Sequence, residues 1–506
     1  LSGLKQKAVA TTLMLMMGVA LLFTSITTTQ VSGQSPYGLT IFYLTSQGGF
    51  EQLQNATVGE PVTLLGSLFT ANGTYNLYFG NKLVDSSSAQ GYFVSSNFTI
   101  PEVPVGDYNL TLTDVSANQN TTYPYFPILT AYSIQPIVPT VPNQLQEGNS
   151  VVLNVTITGG EAGSSYGAEI LVNLPTGLNN YTKTLTLTTS SSGTAQASVT
   201  YPDSSFSPQG SSTLYAGSYT VYFNQSQGLA QSSFTVGFTD LTQYHRGDVV
   251  KINAVGYQPN QVATLSIAFN NSPIYSETDT ASSQGIIATT WTVPSDAPIG
   301  TYTATISPQT SPPKAVTDIQ TFTVPGYPVT FRALNLAGEA VPQITIEAVD
   351  QAANQTFPNV TGSDGLTMIN LEKGGITINA YWNNVKVGEI TPTITGSSTN
   401  NITCQLTDFK IKVQDKTGIA IPFTNLNLTY QYATRTGSTQ IGNATGQTDL
   451  TGTFTLNSTL PGIAYTIDAS KYDEVFNQTS FTLPSEPTSE VTILCPDESL
   501  TVRVVV

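Results

Sequence analysis

The chain has 506 residues, 39% of them hydrophobic and only 9% charged, with a formal net charge of −16. That length exceeds what one hydrophobic core serves, the apolar content excludes a disordered polymer, and scattered acids without a basic cluster exclude nucleic acid as a partner. Abundant Ser, Thr, Gly, Pro and Tyr favour strands and turns over helices, so the expectation is an all-β chain of several domains.

Lys5 and Lys7 precede the apolar run Ala8–Phe23, and Val31-Ser32-Gly33 places small residues before Gln34. This is the layout of a secretory signal peptide over 1–33, cut between Gly33 and Gln34. A retained N-terminal anchor is the alternative, although the apolar run is short for a membrane span.

Three stretches then share a Gly-x-Tyr element: Ile100–Leu112, Leu214–Phe223 and Val293–Ile306. Gly106-Asp107-Tyr108, Gly217-Ser218-Tyr219 and Gly300-Thr301-Tyr302 align, and each glycine is followed by alternating apolar and polar residues. A turn feeding a half-buried strand, with the tyrosine toward the core, is the expected structure. The three units also open alike, with Gly59-Glu60, Gly148-Asn149 and Gly247-Asp248 before an early strand. The third opening lies in Tyr244–Val250, "YHRGDVV", which holds the chain's one histidine and an Arg-Gly-Asp tripeptide. Its repeat position predicts a generic Gly-polar turn instead of a recognition hook. His245, with no second histidine to share a metal, is expected to be a solvated loop residue and not a catalytic base. The Pro-rich stretch Ser133–Gln144 reads as an extended, stiff linker, giving sandwiches over 37–130, 145–238 and 239–325.

A second pattern follows. Val329–Pro342, "VTFRALNLAGEAVP", aligns with Phe409–Pro422, "FKIKVQDKTGIAIP", matching Gly338 to Gly418 and Pro342 to Pro422. "SDGLTMINLEKGGITINA" echoes "TDLTGTFTLNSTLPGIAYTIDA", and "LTVRVVV" at 500–506 repeats the opening strand. The units are 327–406 and 408–499, with a truncated further repeat at 500–506.

This second pattern resembles the carboxypeptidase-regulatory-like, or transthyretin-like, domains. Asp415, Gly418 and Pro422 match their early turn, and Thr448, Asp449 and Gly452 match their later hairpin; Asn335 departs, standing where Asp is usual. The first pattern, and "VPSDAPIGTYTATI" in particular, resembles prokaryotic immunoglobulin-like and macroglobulin-type β-sandwiches. These resemblances imply tandem immunoglobulin-like β-sandwich domains in an elongated rod, of a kind found on prokaryotic, and in particular archaeal, surface proteins. They do not identify a function by themselves.

Cys404 and Cys495 stand at equivalent places in consecutive units. One domain step exceeds the reach of a disulfide, so no bridge between them is expected. Sixteen N-x-S/T sequons occur, roughly twice what composition alone gives: Asn55, Asn72, Asn97, Asn109, Asn120, Asn154, Asn180, Asn224, Asn270, Asn354, Asn359, Asn401, Asn427, Asn443, Asn457 and Asn477. They are candidate N-glycosylation sites. No phosphate loop, dinucleotide fingerprint, zinc motif, serine-nucleophile elbow or thioester motif occurs, so no catalytic, cofactor-binding or metal residue is assigned. Asp364 in "GSDG" is expected in a hairpin turn, and Trp291 and Trp382 are expected in the core. The resulting expectation is an extracellular, glycosylated, non-catalytic surface protein of structural or adhesive type. Its partners would be other surface proteins or surface polysaccharide, and its membrane attachment would come only through the N-terminal segment or a C-terminal anchor beyond residue 506. The alternatives are a non-catalytic region of a larger secreted enzyme or macroglobulin-like protein, and an array of carbohydrate-binding modules.

Overall fold

A computed structural model describes residues 39–44, 50–175, 180–208, 213–225, 228–309, 314 and 317–496. The expected signal segment, its cut at Gly33 and Gln34, and the repeat start at 500–506 lie outside the described residues. All named elements are strands, and no α-helix occurs among the described residues. The cause is visible locally. Val151–Thr158, "VVLNVTIT", buries alternate residues, which is the period of a strand with one face on a core.

Contacts divide the chain into two compact units. One comprises residues up to Val138 with Asn149–Thr213 and Ser218–Thr235; the other comprises Pro139–Gly148, Leu214–Gly217 and Val236 onward.

The first unit holds two sandwiches. In the first sandwich, a sheet ordered Phe50–Gln52, Thr40–Leu44, Pro61–Ser67, Phe93–Thr99 faces one ordered Ala56–Thr57, Gln119–Leu129, Gly106–Asp114, Thr74–Phe79, Lys82–Ser88. Leu64, Leu77, Phe79, Leu110 and Phe126 are fully buried between them. Each such side chain is worth about 1.5–3 kcal/mol of hydrophobic transfer. In the second sandwich, Ala131–Ile137, Val151–Thr158 and Ala195–Tyr201 form one sheet, and Tyr181–Thr188, Ser165–Asn173, Gly217–Gln225 and Gly228–Val236 form the other.

Here the structure departs from the linker expected at Ser133–Gln144. Ala131–Ile137 is a strand, paired antiparallel with Val151–Thr158 from Ala131↔Thr158 to Ile137↔Val152. It lies at the sheet edge, where Pro136 sacrifices no ladder bond on its open side. The rest of the stretch is also hydrogen-bonded, within the second unit: Gln144 N–H donates to Asp240 O (3.1 Å) and Thr242 N–H to Pro142 O (2.7 Å).

The second unit contains three sandwiches. The third pairs Val249–Val255 with Ile286–Thr292 against a sheet ordered Ser272–Thr280, Val262–Phe269, Gly300–Pro308, Asp318–Val324. The fourth and fifth share one topology. In each, the first strand pairs antiparallel with a middle strand and parallel with the last: Tyr327–Leu334 with Ser398–Thr403, and Thr407–Gln414 with Thr488–Leu494. A four-stranded antiparallel sheet covers each, centred on Thr345–Asp350 with Thr377–Trp382, and on Asn425–Ala433 with Ala464–Lys471.

The Gly-x-Tyr elements behave as a common device. Tyr302 is fully buried, stacks on Phe322 (centroids 5.4 Å apart) and donates its hydroxyl to Pro298 O at 2.8 Å. Tyr219 is buried against Phe234 (5.0 Å). Tyr108 makes the equivalent bond to Pro104 O (3.0 Å) and stacks on Phe79 (5.3 Å). Tyr108 is only half-buried, and the strand pairing beside it shifts register between Tyr108 and Leu110.

No disulfide joins Cys404 and Cys495. Their backbone positions are equivalent: Cys404 N–H donates to Leu334 O (2.7 Å) and Cys495 N–H to Gln414 O (2.8 Å), each at the end of its unit's first strand. Cys404 is enclosed by the fourth core, and burial pushes its thiol up to about 12. The reactive thiolate is therefore suppressed. Cys404 should label far more slowly in the native chain than after unfolding, as a thiol-reagent time course would measure. Fast native labelling would contradict the burial.

Candidate functional site

The Gly-polar turns share one geometry. Gly59, Gly148 and Gly247 have φ of +88°, +81° and +83°, a region that strains β-branched residues. Gly59 N–H reaches Ile100 O and Gly247 N–H reaches Val293 O, both at 2.9 Å. Asp248 closes its turn by accepting the His245 N–H (2.8 Å), as Glu60 accepts Thr57 N–H (3.0 Å). The turn reading of the Arg-Gly-Asp describes this backbone.

The side chains around it do more than the turn requires. Arg246 is buried and spans three acceptors of two sandwiches. Nε donates to Ala297 O (2.8 Å), Nη1 to Lys373 O (3.1 Å) and Nη2 to Asp350 Oδ2 (2.5 Å). Asp350 is equally buried, and its other oxygen accepts Ala353 N–H (3.2 Å). The fully buried Glu372 accepts Arg246 N–H at 3.1 Å and pairs with Nδ1 of His245. The His245 ring stacks on Tyr327, centroids 3.9 Å apart and planes 11° from parallel. His245 is thus not the solvated loop residue expected from the sequence. It is half of a lock between the third and fourth sandwiches. Gln355 extends the joint, accepting Ile299 N–H (2.7 Å) and donating to Ile299 O (2.9 Å). Gly326, at φ +72°, lets the chain cross, since a Cβ there would meet Ile299 at 2.9 Å and Leu371 N at 3.0 Å.

The fourth and fifth sandwiches meet through different groups. Asn335 Oδ1 caps its own turn by accepting Glu339 N–H (2.8 Å), as Asp415 Oδ1 accepts Thr417 N–H (2.9 Å) and Ile419 N–H (2.8 Å). Those bonds, the Thr417 hydroxyl first, hold the Asp415 carboxyl below the usual range. The Asn335 amide nitrogen also reaches across the boundary, donating to Asp408 Oδ1 (2.9 Å), which in turn accepts Ser458 N–H (2.9 Å). The departure from Asp at this position therefore has a cause, because a carboxylate cannot donate to Asp408. On the other side, Trp382 packs edge-on against Tyr432 (5.4 Å), and Arg435 lies over Tyr381 (4.4 Å) while pairing with Glu347 (2.9 Å). Trp382 belongs to this joint and is only half-buried, whereas Trp291 is in the third core.

The remaining candidates disperse. Asp364 does sit in a turn, its Oδ1 accepting Leu366 N–H (3.0 Å), but that turn crosses from Gln355–Val360 in one sheet to Leu366–Leu371 in the other and is not the hairpin expected. The sixteen sequon asparagines are spread over all five sandwiches; Asn154 and Asn477 are half-buried and the other fourteen exposed. A polar cleft of about 850 Å³ in the first unit is lined by Glu161, Ser164, Ser165 and Tyr166, among others. No group of three or more His, Cys, Asp or Glu side chains able to hold a metal occurs among the described residues.

No family model matches the chain, and no curated protein matches it. Solved structures give loose likenesses. The Bacillus anthracis TIE protein is 12% identical, over 73% of this chain and 75% of that one, at a TM-score of 0.18. A tetra-tandem repeat from the extending region of a large adhesion protein is 16% identical, over 69% and 97%, at 0.17. Trypsin-activated alpha-2-macroglobulin from Escherichia coli is 10% identical, over 90% of this chain and 42% of that one, at 0.18. At such TM-scores nothing about this chain's activity or partners follows from them.

Proposed function

We propose that this chain is an extracellular, glycosylated, non-catalytic surface protein of structural or adhesive type, whose sandwiches act as a spacer. The observation that carries this reading is the construction of the joints in the second unit. Consecutive sandwiches are fixed by the buried pair Arg246 with Asp350, by the buried Glu372 with the half-buried His245, and by the amide–carboxylate bond of Asn335 with Asp408. Such pairs contribute little net stability compared with apolar packing but fix one arrangement. Fixed joints suit a part that holds a distance. The secretory layout of residues 1–33 and the sequons support the location. The partners in this reading are other surface proteins or surface polysaccharide.

Treating intact cells with an impermeant protease tests the reading. It expects the chain to be cleaved while cytoplasmic proteins survive; protection until lysis would overturn it.

The sequons give a finer expectation. The side-chain nitrogens of Asn359 and Asn477 donate to Met368 O (2.9 Å) and Leu494 O (2.7 Å), and a glycan there would take one of the two hydrogens of that nitrogen and crowd a group already held against the backbone. Glycopeptide analysis should find Asn359 and Asn477 bare even where exposed sites such as Asn55 carry sugar. Full occupancy at these two would show that the bonds do not protect them.

A further inference from the structure

The second unit holds a third buried polar cluster, centred on Lys314. Lys314 Nζ lies 2.8 Å from Glu147 Oε2 and 2.5 Å from Asp318 Oδ2, with all three side chains at 2% exposure or less. Tyr257 roofs the amine, its ring centroid 4.8 Å from Nζ, and donates its hydroxyl to Asp318 Oδ2 at 2.5 Å. Glu147 Oε2 also accepts Val255 N–H (2.8 Å), while Glu147 Oε1 is buried with no hydrogen-bond partner. A lone buried carboxylate oxygen is costly, and two carboxylates sharing one ammonium retain a proton between them. Glu147 is the one pushed well up, by its burial first and then by Asp318.

We infer that Lys314 and Glu147 condense into an intramolecular amide, with Asp318 taking the amine's proton. The site has what the step requires: a buried amine at contact distance from a carboxyl, a neighbouring base, and little water to reverse the reaction. Lys314 ammonium passes one proton to Asp318, and the freed nitrogen lone pair attacks Cδ of the neutral Glu147 carboxyl. The C–N bond forms and the bond from Cδ to Oε1 breaks. The departing hydroxyl takes a second proton from nitrogen and leaves as water. The products are one amide, one water and a protonated Asp318, with no change of oxidation state. The oxygen lost is the one that had no partner, and the oxygen kept still accepts Val255 N–H. The bond ties the Pro139–Gly148 segment to the residues just before the strand Asp318–Val324. This inference stands apart from the surface reading above, since it concerns chemistry within the folded chain.

Peptide mapping by mass spectrometry of the purified full chain, reduced and unfolded, tests it. The expected result is a branched peptide joining the Glu147 and Lys314 segments, lighter than their sum by one water, in most chains and absent from Lys314→Met. In Asp318→Asn the linked fraction should fall at least tenfold at a fixed time after folding, as expected for loss of a general base. Separate recovery of the two peptides from folded wild type, with Lys314 open to an amine reagent after unfolding, would overturn the inference. A bond from Lys314 to Asp318 would overturn the assignment of Glu147 as acceptor. Both outcomes are read from the wild-type map, so they hold even if a variant fails to fold.

Discussion

Arg246→Ala should destabilise the third and fourth sandwiches by about 3–5 kcal/mol, the usual cost of leaving one partner of a buried ion pair alone. The substitution strands Asp350, which is 1% exposed, and removes donors from Ala297 O and Lys373 O. Arg246→Lys should recover only part of the loss, because one ammonium cannot serve three directions as the guanidinium fork does. The double variant Arg246→Met with Asp350→Leu should lie much nearer wild type, since both charges leave together. Urea unfolding of the four chains ranks them, and a harmless Arg246→Ala would contradict the buried geometry. The same burial decides the fate of the Arg-Gly-Asp as a hook. Its arginine is 3% exposed and committed to three partners, so a partner cannot grip it without opening the joint. Asp248→Glu should leave attachment to cells or partner proteins unchanged, and a soluble Arg-Gly-Asp peptide should not compete. Loss of attachment in a folded Asp248→Glu chain would restore the hook.

Asn335→Asp should cost about 2–4 kcal/mol near neutral pH, combining a lost charged hydrogen bond with a carboxylate facing another across a mostly buried joint. Asp408 is 6% exposed, and its Oδ1 lies 2.9 Å from the nitrogen that would become an oxygen. The sign with pH follows from linkage. The introduced carboxyl is pushed up in the folded state relative to the unfolded one. The penalty is therefore full above its folded pKa and shrinks as pH falls through that value and the pair takes up a proton. Urea midpoints measured from about pH 7 down to about pH 4 should converge on those of wild type. Asn335→Ala should lose stability without that pH dependence. Equal slopes for the two variants would mean that the Asp408 contact is not formed.

The sequence carried the repeats well, for a physical reason. A turn needing positive φ at Gly247 and a tyrosine returning its hydroxyl to the backbone four residues earlier are local devices, so they recur as short strings. The strand at Ala131–Ile137 was hidden because proline reads as a break, and only its edge position makes Pro136 harmless. The joints were hidden for a different reason. Arg246 meets Asp350 104 residues later, and His245 meets Glu372 127 residues later. Neither pair has a period or spacing that a linear reading could detect. Asn335 alone gave a signal, as a departure from its repeat, and its meaning needed Asp408 beside it.

The joints have one further consequence. A guanidinium with a carboxylate and an imidazole with a glutamate close one boundary; an amide with an aspartate, and an arginine over a tyrosine ring, close the next. These closures are not interchangeable. If the fifth sandwich were moved behind the third, Thr407–Gln414 would bring Asp408 to a face built for Tyr327 and Glu372, and Arg246 would find no Asp350. Repeats this similar in backbone invite recombination at the level of the gene. The mismatched faces would cost stability at any new boundary made by shuffling the third, fourth and fifth sandwiches, so the order of these three is written into the chain beside the fold of each one.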